Sequence, residues 1–200
     1  MATISETKIA NMALHHVGAS TQIESLDEAS SNAKVCKLWY HHARQQVLEG
    51  YDWTFARRRV TLAEHSEDPP DEWGYRYQYP AACLKVRSIV TGLRDDSDPV
   101  PLEVELNEDG TQKTILTDWP DAVILYTSDV ETTSMFTPHF IICLSYLLGH
   151  YIAPKMTSKG NKVQEMYQQY LRCLAIAPSM DANENVKKPP REAEWIRGRD

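Results

Sequence analysis

Apolar residues recur at helical spacing at both ends of this chain and at alternate positions through its middle. That double change of period decides most of what the chain can fold into. The first helix is expected from about Ser5 to Val17, with Thr3 and Glu6 at capping-box spacing and Gly18 as its stop. Ile9, Met12, Ala13, His16 and Val17 share one face of it. Ser25 and Glu28 repeat the capping signal ahead of a longer helix that ends near Gly50. Its apolar residues form two adjacent stripes, Val35, Leu38 and Trp39, then Cys36, Tyr40, Ala43 and Val47. A helix apolar over so wide an arc touches neighbours on more than one side.

From Arg57 the pattern reads as strands: Arg57 to Leu62, Tyr75 to Tyr79, Lys85 to Thr91 and Ala122 to Ser128. Val100 to Leu106 and Thr114 to Leu116 form a hairpin around Asn107-Glu108-Asp109-Gly110. Helical spacing resumes at Thr137-Pro138, an N-cap with proline at the first helical position, and runs through Phe140, Leu144, Leu147, Leu148 and Tyr151. A final helix is expected over Lys159 to Ile176, with a stripe of Val163, Met166, Tyr167, Tyr170, Leu171 and Leu174. After Pro178 the pattern stops, and the polar segment 179–200 cannot bury enough apolar surface to fold alone.

Strands gathered in one block between helices give an α+β fold rather than α/β. The expected organisation is an N-terminal helical pair (1–56), an inserted small antiparallel β module (57–130), a C-terminal helical pair completing a bundle (131–178) and an extended arm (179–200). The most apolar stretch, Phe140 to Ile152, is about 13 residues long, against roughly 20 for a membrane span, and reads as a buried helix. Met1 to Ile9 carries Glu6 and has no apolar core, unlike a signal peptide. The net charge of -7 argues against a protein that grips phosphates. It is compatible with one that lets DNA pass without holding it.

Candidate chemistry is sparse. Cys36, Cys83, Cys143 and Cys173 form no CxxC and read as reduced thiols. His139 and Cys143 stand at i,i+4 on one helix, a spacing that can serve a metal, but no Cys or His nearby in sequence supplies a third or fourth ligand. Core packing is the reading, with no metal and no cofactor expected. The members of His15-His16 and His41-His42 point about 100° apart on a helix, one toward a neighbour and one toward water. Glu64, Glu67, Asp68, Asp71 and Glu72 could supply a hydrolase's paired carboxylates, yet a Pro-rich loop makes them a solvated turn. No GxSxG, HExxH, Walker A or GxGxxG is present. Tyr75, Tyr77 and Tyr79 share one strand face, read as packing against the helices rather than as a base-stacking platform. Arg57 to Arg59 reads as a partner for acids rather than a phosphate grip. In the arm, Trp195 has nothing local to cover it and reads as an anchor for a partner's groove. Residues 187–200 hold Lys187, Lys188, Arg191, Arg197 and Arg199 against Glu192, Glu194 and Asp200, so the arm is slightly basic on an acidic chain.

Several of these elements, taken in order, resemble a known family. Asn11, Ala13, Leu14, Val17 and Gly18 fit N-x-A-L-x-x-(I/V/L)-G, and Ile23 to Leu26 fits I-x-S-L. Ala33, Cys36, Tyr40, Ala43 and Leu48 follow on the next helix, then Trp53-Thr54-Phe55-Ala56 as W-x-F-A. Tyr75, Tyr77, Tyr79 and Pro80 fit Y-x-Y-x-(L/Y)-P, and Phe136-Thr137-Pro138-His139-Phe140 opens the second helical pair. This series is similar to tail tubular protein A and related head-to-tail adaptors of short-tailed phages. It covers almost the whole chain except residues 92–120.

The resemblance implies a non-enzymatic structural subunit of the virion neck, assembled in the host cytoplasm. It implies a ring of twelve copies beneath the portal protein, with the tail tube or nozzle on the lower face. Double-stranded DNA would pass through the channel without sequence-specific binding, which an acidic wall favours. The arm, through Lys187, Lys188, Arg191, Trp195, Ile196 and Arg197, would clasp the portal and fold as it binds. The remaining motif residues (Asn11, Leu14, Gly18, Ala33, Tyr40, Trp53, Phe55, Tyr79, Pro80, Pro138 and Phe140) would be structural. The alternative is a tail-associated cell-wall hydrolase, since some adaptors of this kind have been proposed to attack peptidoglycan. A nucleic-acid-binding regulatory module is a third possibility, and it predicts salt-dependent DNA affinity.

Overall fold

The computed structural model describes residues 4–92, 99–156 and 160–181. Among these residues the fold is α+β, with four α-helices and two three-stranded antiparallel sheets. The chain divides into two compact units. One contains the chain up to Ala56 and from Ser128 through the last helix; the other is Arg57–Thr127.

In the helical unit, α1 (Glu6–Val17) starts at Ser5, whose side chain accepts the Lys8 N–H. Thr3 lies outside the described residues. The helix ends at Gly18, whose φ of 79° is the left-handed conformation that glycine adopts without steric cost. The buried face of α1 is Ile9, Ala10, Ala13, Leu14 and Val17. Met12 and His16, expected on that face, lie at its half-buried edge.

The second helix begins later than its capping signal indicates: α2 is Ser31–Gly50, capped by Ser30, which accepts the Ala33 N–H. Glu28 does reach back to the N–H groups of Glu24 and Ser25, but these bonds close an isolated turn. A capping box satisfies a single turn as well as a helix. The first residue of α2 with a core to enter is Ala33. Of the two apolar stripes, Cys36, Tyr40, Ala43 and Val47 are buried; Val35 and Trp39 are half-buried, and Leu38 is 70% exposed.

Thr137 accepts the Phe140 N–H through its hydroxyl and starts α3 (Pro138–Met156). This helix is apolar on nearly every side because α1, α2 and α4 (Gly160–Asp181) all pack against it. Gly149 permits a close approach. A Cβ there would lie 3.4 Å from Met166 Sδ of α4 and 3.7 Å from the Ala13 carbonyl of α1. Both C-terminal helices outrun their expected ends, α3 through Pro154 and α4 through Pro178. Each proline stands in or next to a last turn, where few residues remain to be disturbed by its missing N–H.

The β unit contains β1 (Arg57–Thr61), β2 (Tyr75–Gln78), β3 (Cys83–Ile89), β4 (Glu103–Leu106), β5 (Lys113–Thr117) and β6 (Val123–Ser128). One sheet has the order β1-β6-β3, the other β2-β5-β4. The β4–β5 hairpin turns as its sequence indicates. Asn107 Oδ1 accepts the N–H groups of Thr111 and Gln112, and Gly110 takes a φ of 68°. The core of this unit is Leu62, Tyr77, Cys83, Ile89, Ile115, Ala122, Ile124 and Tyr126, with Tyr75 and Tyr79 packed against it. The tyrosine face of β2, expected to pack against the helices, is therefore taken up by the β unit's own core. Strands from two sheets supply enough apolar surface to cover it locally.

Candidate functional site

Several residues of the N-x-A-L, I-x-S-L and W-x-F-A elements lie at joints of the helical bundle. The side chain of Asn11 lies beside the backbone of Ile23. Nδ2 donates to the Ile23 carbonyl at 2.8 Å, and Oδ1 accepts the Ile23 N–H at 2.9 Å. One amide thus replaces a two-bond β-bridge and fixes the segment leaving α1 against that helix. It ties the N-x-A-L element to the I-x-S-L element, and Ile23 is buried as a result. Leu14 and Ala33 are buried in the bundle core, and Gly18 ends α1. Tyr40 is buried with its hydroxyl lacking a protein partner, and burial holds its ionisation above the ordinary tyrosine range.

Trp53, Phe55 and Phe140 come together in one aromatic layer at the start of α3. Trp53 is 2% exposed and donates from Nε1 to the Val47 carbonyl at 2.8 Å. Its ring meets Phe140 edge to face at 5.2 Å, and Phe55 meets Phe140 at 5.1 Å. Phe136 closes the layer, 4.7 Å from Phe140. Pro138 occupies the exposed first turn of α3, where its missing N–H costs nothing. In the β unit, Tyr79 donates to the Leu84 carbonyl, and the Pro80 carbonyl accepts the Cys83 N–H. These two residues shape the turn between β2 and β3. The arm residues Lys187, Lys188, Arg191, Trp195, Ile196 and Arg197 lie outside the described residues.

Three further features go beyond the sequence reading, although it did turn one of His15 and His16 toward a neighbour. Arg44, 2% exposed on α2, donates from Nη1 to the Val130 carbonyl. Its Nη2 lies 2.9 Å from Asp129 Oδ1 and 3.2 Å from Glu131 Oε1. Gln45 also reaches Asp129, so the segment entering α3 is strapped to α2. The signal was an arginine within the apolar stripe of a helix, which needs a buried anion to stay there. His16 packs on Tyr146 with ring centroids 4.4 Å apart, and its Nε2 faces Ser145 Oγ at 3.1 Å. Burial, and then the nearby charges of His15 and Lys162, lower its pKa from 6.5.

The third feature is a partner for His139 and Cys143. Cys173 of α4 brings its sulfur to them, so that one imidazole nitrogen and two sulfurs lie within 4.8 Å of one another. A hydrogen bond between the thiols raises Cys143 and lowers Cys173. Cys173 follows Met166 and Tyr170 at helical spacing, which puts it on the face of α4 turned toward α3. Proximity in sequence could not supply this group, but helix periodicity could.

Of the acids considered for hydrolysis, Glu67 is tied into the structure. Glu67 accepts from Arg76 Nη1 at 3.0 Å, from the Glu108 N–H and from Asn107 Nδ2. Its carboxylate is committed to holding the hairpin beside β2. Asp68, Asp71 and Glu72 are exposed. A shallow concavity of about 260 Å³ on the helical unit is lined by His42, Gln45, Gln46, Glu49 and Tyr151, with the Tyr151 hydroxyl donating to Gln46. No helix among the described residues is long and apolar enough to cross a membrane. Compared with known proteins, the chain matches no family model and no curated protein.

Proposed function

We propose that this chain is a structural, non-enzymatic subunit of a head-to-tail connector ring, an adaptor between a phage portal and the tail tube or nozzle. The observation that carries the reading is apolar surface that the described residues leave exposed. Leu38 on α2 and Tyr167, Leu171, Ile176 and Met180 on α4 are all exposed. Two of the six residues of the α4 stripe read from the sequence, Tyr167 and Leu171, are thus exposed among the described residues. A ring needs two different complementary patches on each copy, and residues on two helices can supply them. The motif residues add support, since those described fill a core, hold a joint, or start, end or turn an element. In this reading twelve copies line a channel through which double-stranded DNA passes, held off by the acidic charge. The arm around Trp195 clasps the portal, and the protein resides in the virion neck. The hydrolase alternative has no comparable observation behind it, because Glu67 is engaged in structure.

The test is to mix the purified full chain with portal rings and count bound copies by native mass spectrometry. Twelve copies per portal are expected, with loss of attachment when residues 182–200 are deleted. Leu38→Asp and Leu171→Asp should reduce copies bound while leaving the subunit's thermal midpoint within about 2 °C of the parent, as surface changes do. Absence of any portal complex at micromolar concentrations, together with turnover of peptidoglycan on zymograms, would replace the adaptor with the hydrolase.

A further inference from the structure

We propose that His139, Cys143 and Cys173 form a zinc site that clamps α4 to α3. Three groups of the kinds zinc takes as ligands converge from two helices on one point, with every ligand atom within 4.8 Å of the others. In a tetrahedral site, Zn–S bonds of about 2.3 Å and a Zn–N bond of about 2.0 Å place the donors roughly 3.5–3.8 Å apart. The existing cluster closes to that spacing with movements of about 1 Å, within reach of side-chain rotation.

One nitrogen of the imidazole is already held. Its Nε2 lies 2.7 Å from the Cys173 carbonyl. A carbonyl only accepts, so Nε2 carries the hydrogen and the ring's lone pair is on Nδ1. A ligating histidine characteristically donates its other ring N–H in this way, which fixes the tautomer and the ring. Trp53, whose ring lies 6.1 Å from that of His139, walls one side.

Charge and donor type select the ion. Two thiolates, one neutral imidazole and Zn²⁺ sum to zero, which suits a setting where Cys143 is fully buried. The same ligands around Cu⁺ leave a net negative charge. Mg²⁺ and Ca²⁺ take oxygen donors. His139 and Cys173 are only partly buried, which leaves the fourth position open to water. Binding exchanges two S–H bonds for two Zn–S bonds and releases two protons to solvent, with no change of oxidation state. Cys36 and Cys83 lie outside the cluster and stay free thiols.

The experiment uses the reduced, chelator-treated full chain without oxygen, titrated first with CoCl₂ and then with ZnCl₂. The expected result is one Co²⁺ per chain, with thiolate-to-cobalt charge-transfer bands and the intense visible bands of four-coordinate Co²⁺, both erased by one equivalent of Zn²⁺. In weak buffer, two protons appear per zinc bound, and zinc raises the thermal midpoint. Cys143→Ser and Cys173→Ser should each lose the four-coordinate spectrum, and His139→Gln should weaken affinity at least tenfold. If a serine variant fails to fold, alkylation of the parent chain decides. Zinc should shield Cys173, the partly exposed member of the pair, from iodoacetamide in peptide masses. The proposal is overturned if saturating Co²⁺ produces only the pale spectrum of the hexaaqua ion. It is equally overturned if the bands survive in the Cys143→Ser/Cys173→Ser double variant. It also fails if mild oxidant joins the two cysteines in a disulfide while the reduced chain takes up no zinc.

Discussion

Replacing Asn11 by alanine tests the joint on which the N-terminal half depends. The wild-type amide makes two hydrogen bonds to one residue, at 2.8 and 2.9 Å. Each is worth about 1 kcal/mol net. Alanine recovers roughly 0.5 kcal/mol through its better helix propensity. The expected loss is therefore about 1.5 kcal/mol, with an upper end near 2 kcal/mol because Ile23 is buried and its backbone groups lose their partner. With a urea m-value of about 2 kcal/mol/M, the midpoint should fall by roughly 0.8 M at unchanged slope. Far-ultraviolet circular dichroism is the right probe, since it follows the helices. Asn11→Asp provides a second arm. Its carboxylate can still accept the Ile23 N–H but faces the Ile23 carbonyl without a donor. It should be at least as unstable as the alanine variant at neutral pH and recover part of the loss when acid protonates it. A midpoint for Asn11→Ala within about 0.2 M of the parent would refute the assignment of this residue as a joint, being inside the error of such measurements.

Other outcomes follow from neighbouring features. Arg44→Ala leaves Asp129 facing its former site without its ion partner and removes the strap to Val130. A cost of about 2–3 kcal/mol in chemical denaturation is expected, below the usual range for a buried pair because Asp129 and Glu131 retain solvent contact. Gly18→Ala meets no atom within 4 Å, so its cost is purely that of the left-handed backbone, about 1 kcal/mol, again read by urea titration. His16 makes stability depend on pH with a definite sign. Its folded-state pKa lies below 6.5, so the unfolded chain binds the proton first as pH falls. The contribution of His16 is full above 6.5 and is lost as pH drops through the folded value. His16→Gln should flatten that acid limb of the stability profile, and an unchanged slope would contradict the burial argument.

The helices, the six strands and their α+β arrangement were all legible in the amino-acid order, because burying one face imposes a period of 3.6 or 2 wherever a segment meets a core. The hairpin at Asn107 to Gly110 and the stop at Gly18 were legible too, since a left-handed turn restricts the residues that fit it. Local signals failed where they are satisfied without a core behind them. Ser25 and Glu28 form their capping bonds and still produce only a turn. The prolines at 154 and 178 fall within helices because each stands so near the helix end that its missing N–H disturbs little.

What only the tertiary structure decided is which distant residues meet. Asn11 against Ile23, Arg44 against Asp129, and Cys173 against His139 and Cys143 are pairings across helices or loops. Nothing in the local order of either partner encodes the other. Arg44 and Cys143 are polar or sulfur-bearing groups set on buried helix faces. Packing chose their partners, because a buried polar group must be satisfied by whatever the fold brings within about 3 Å.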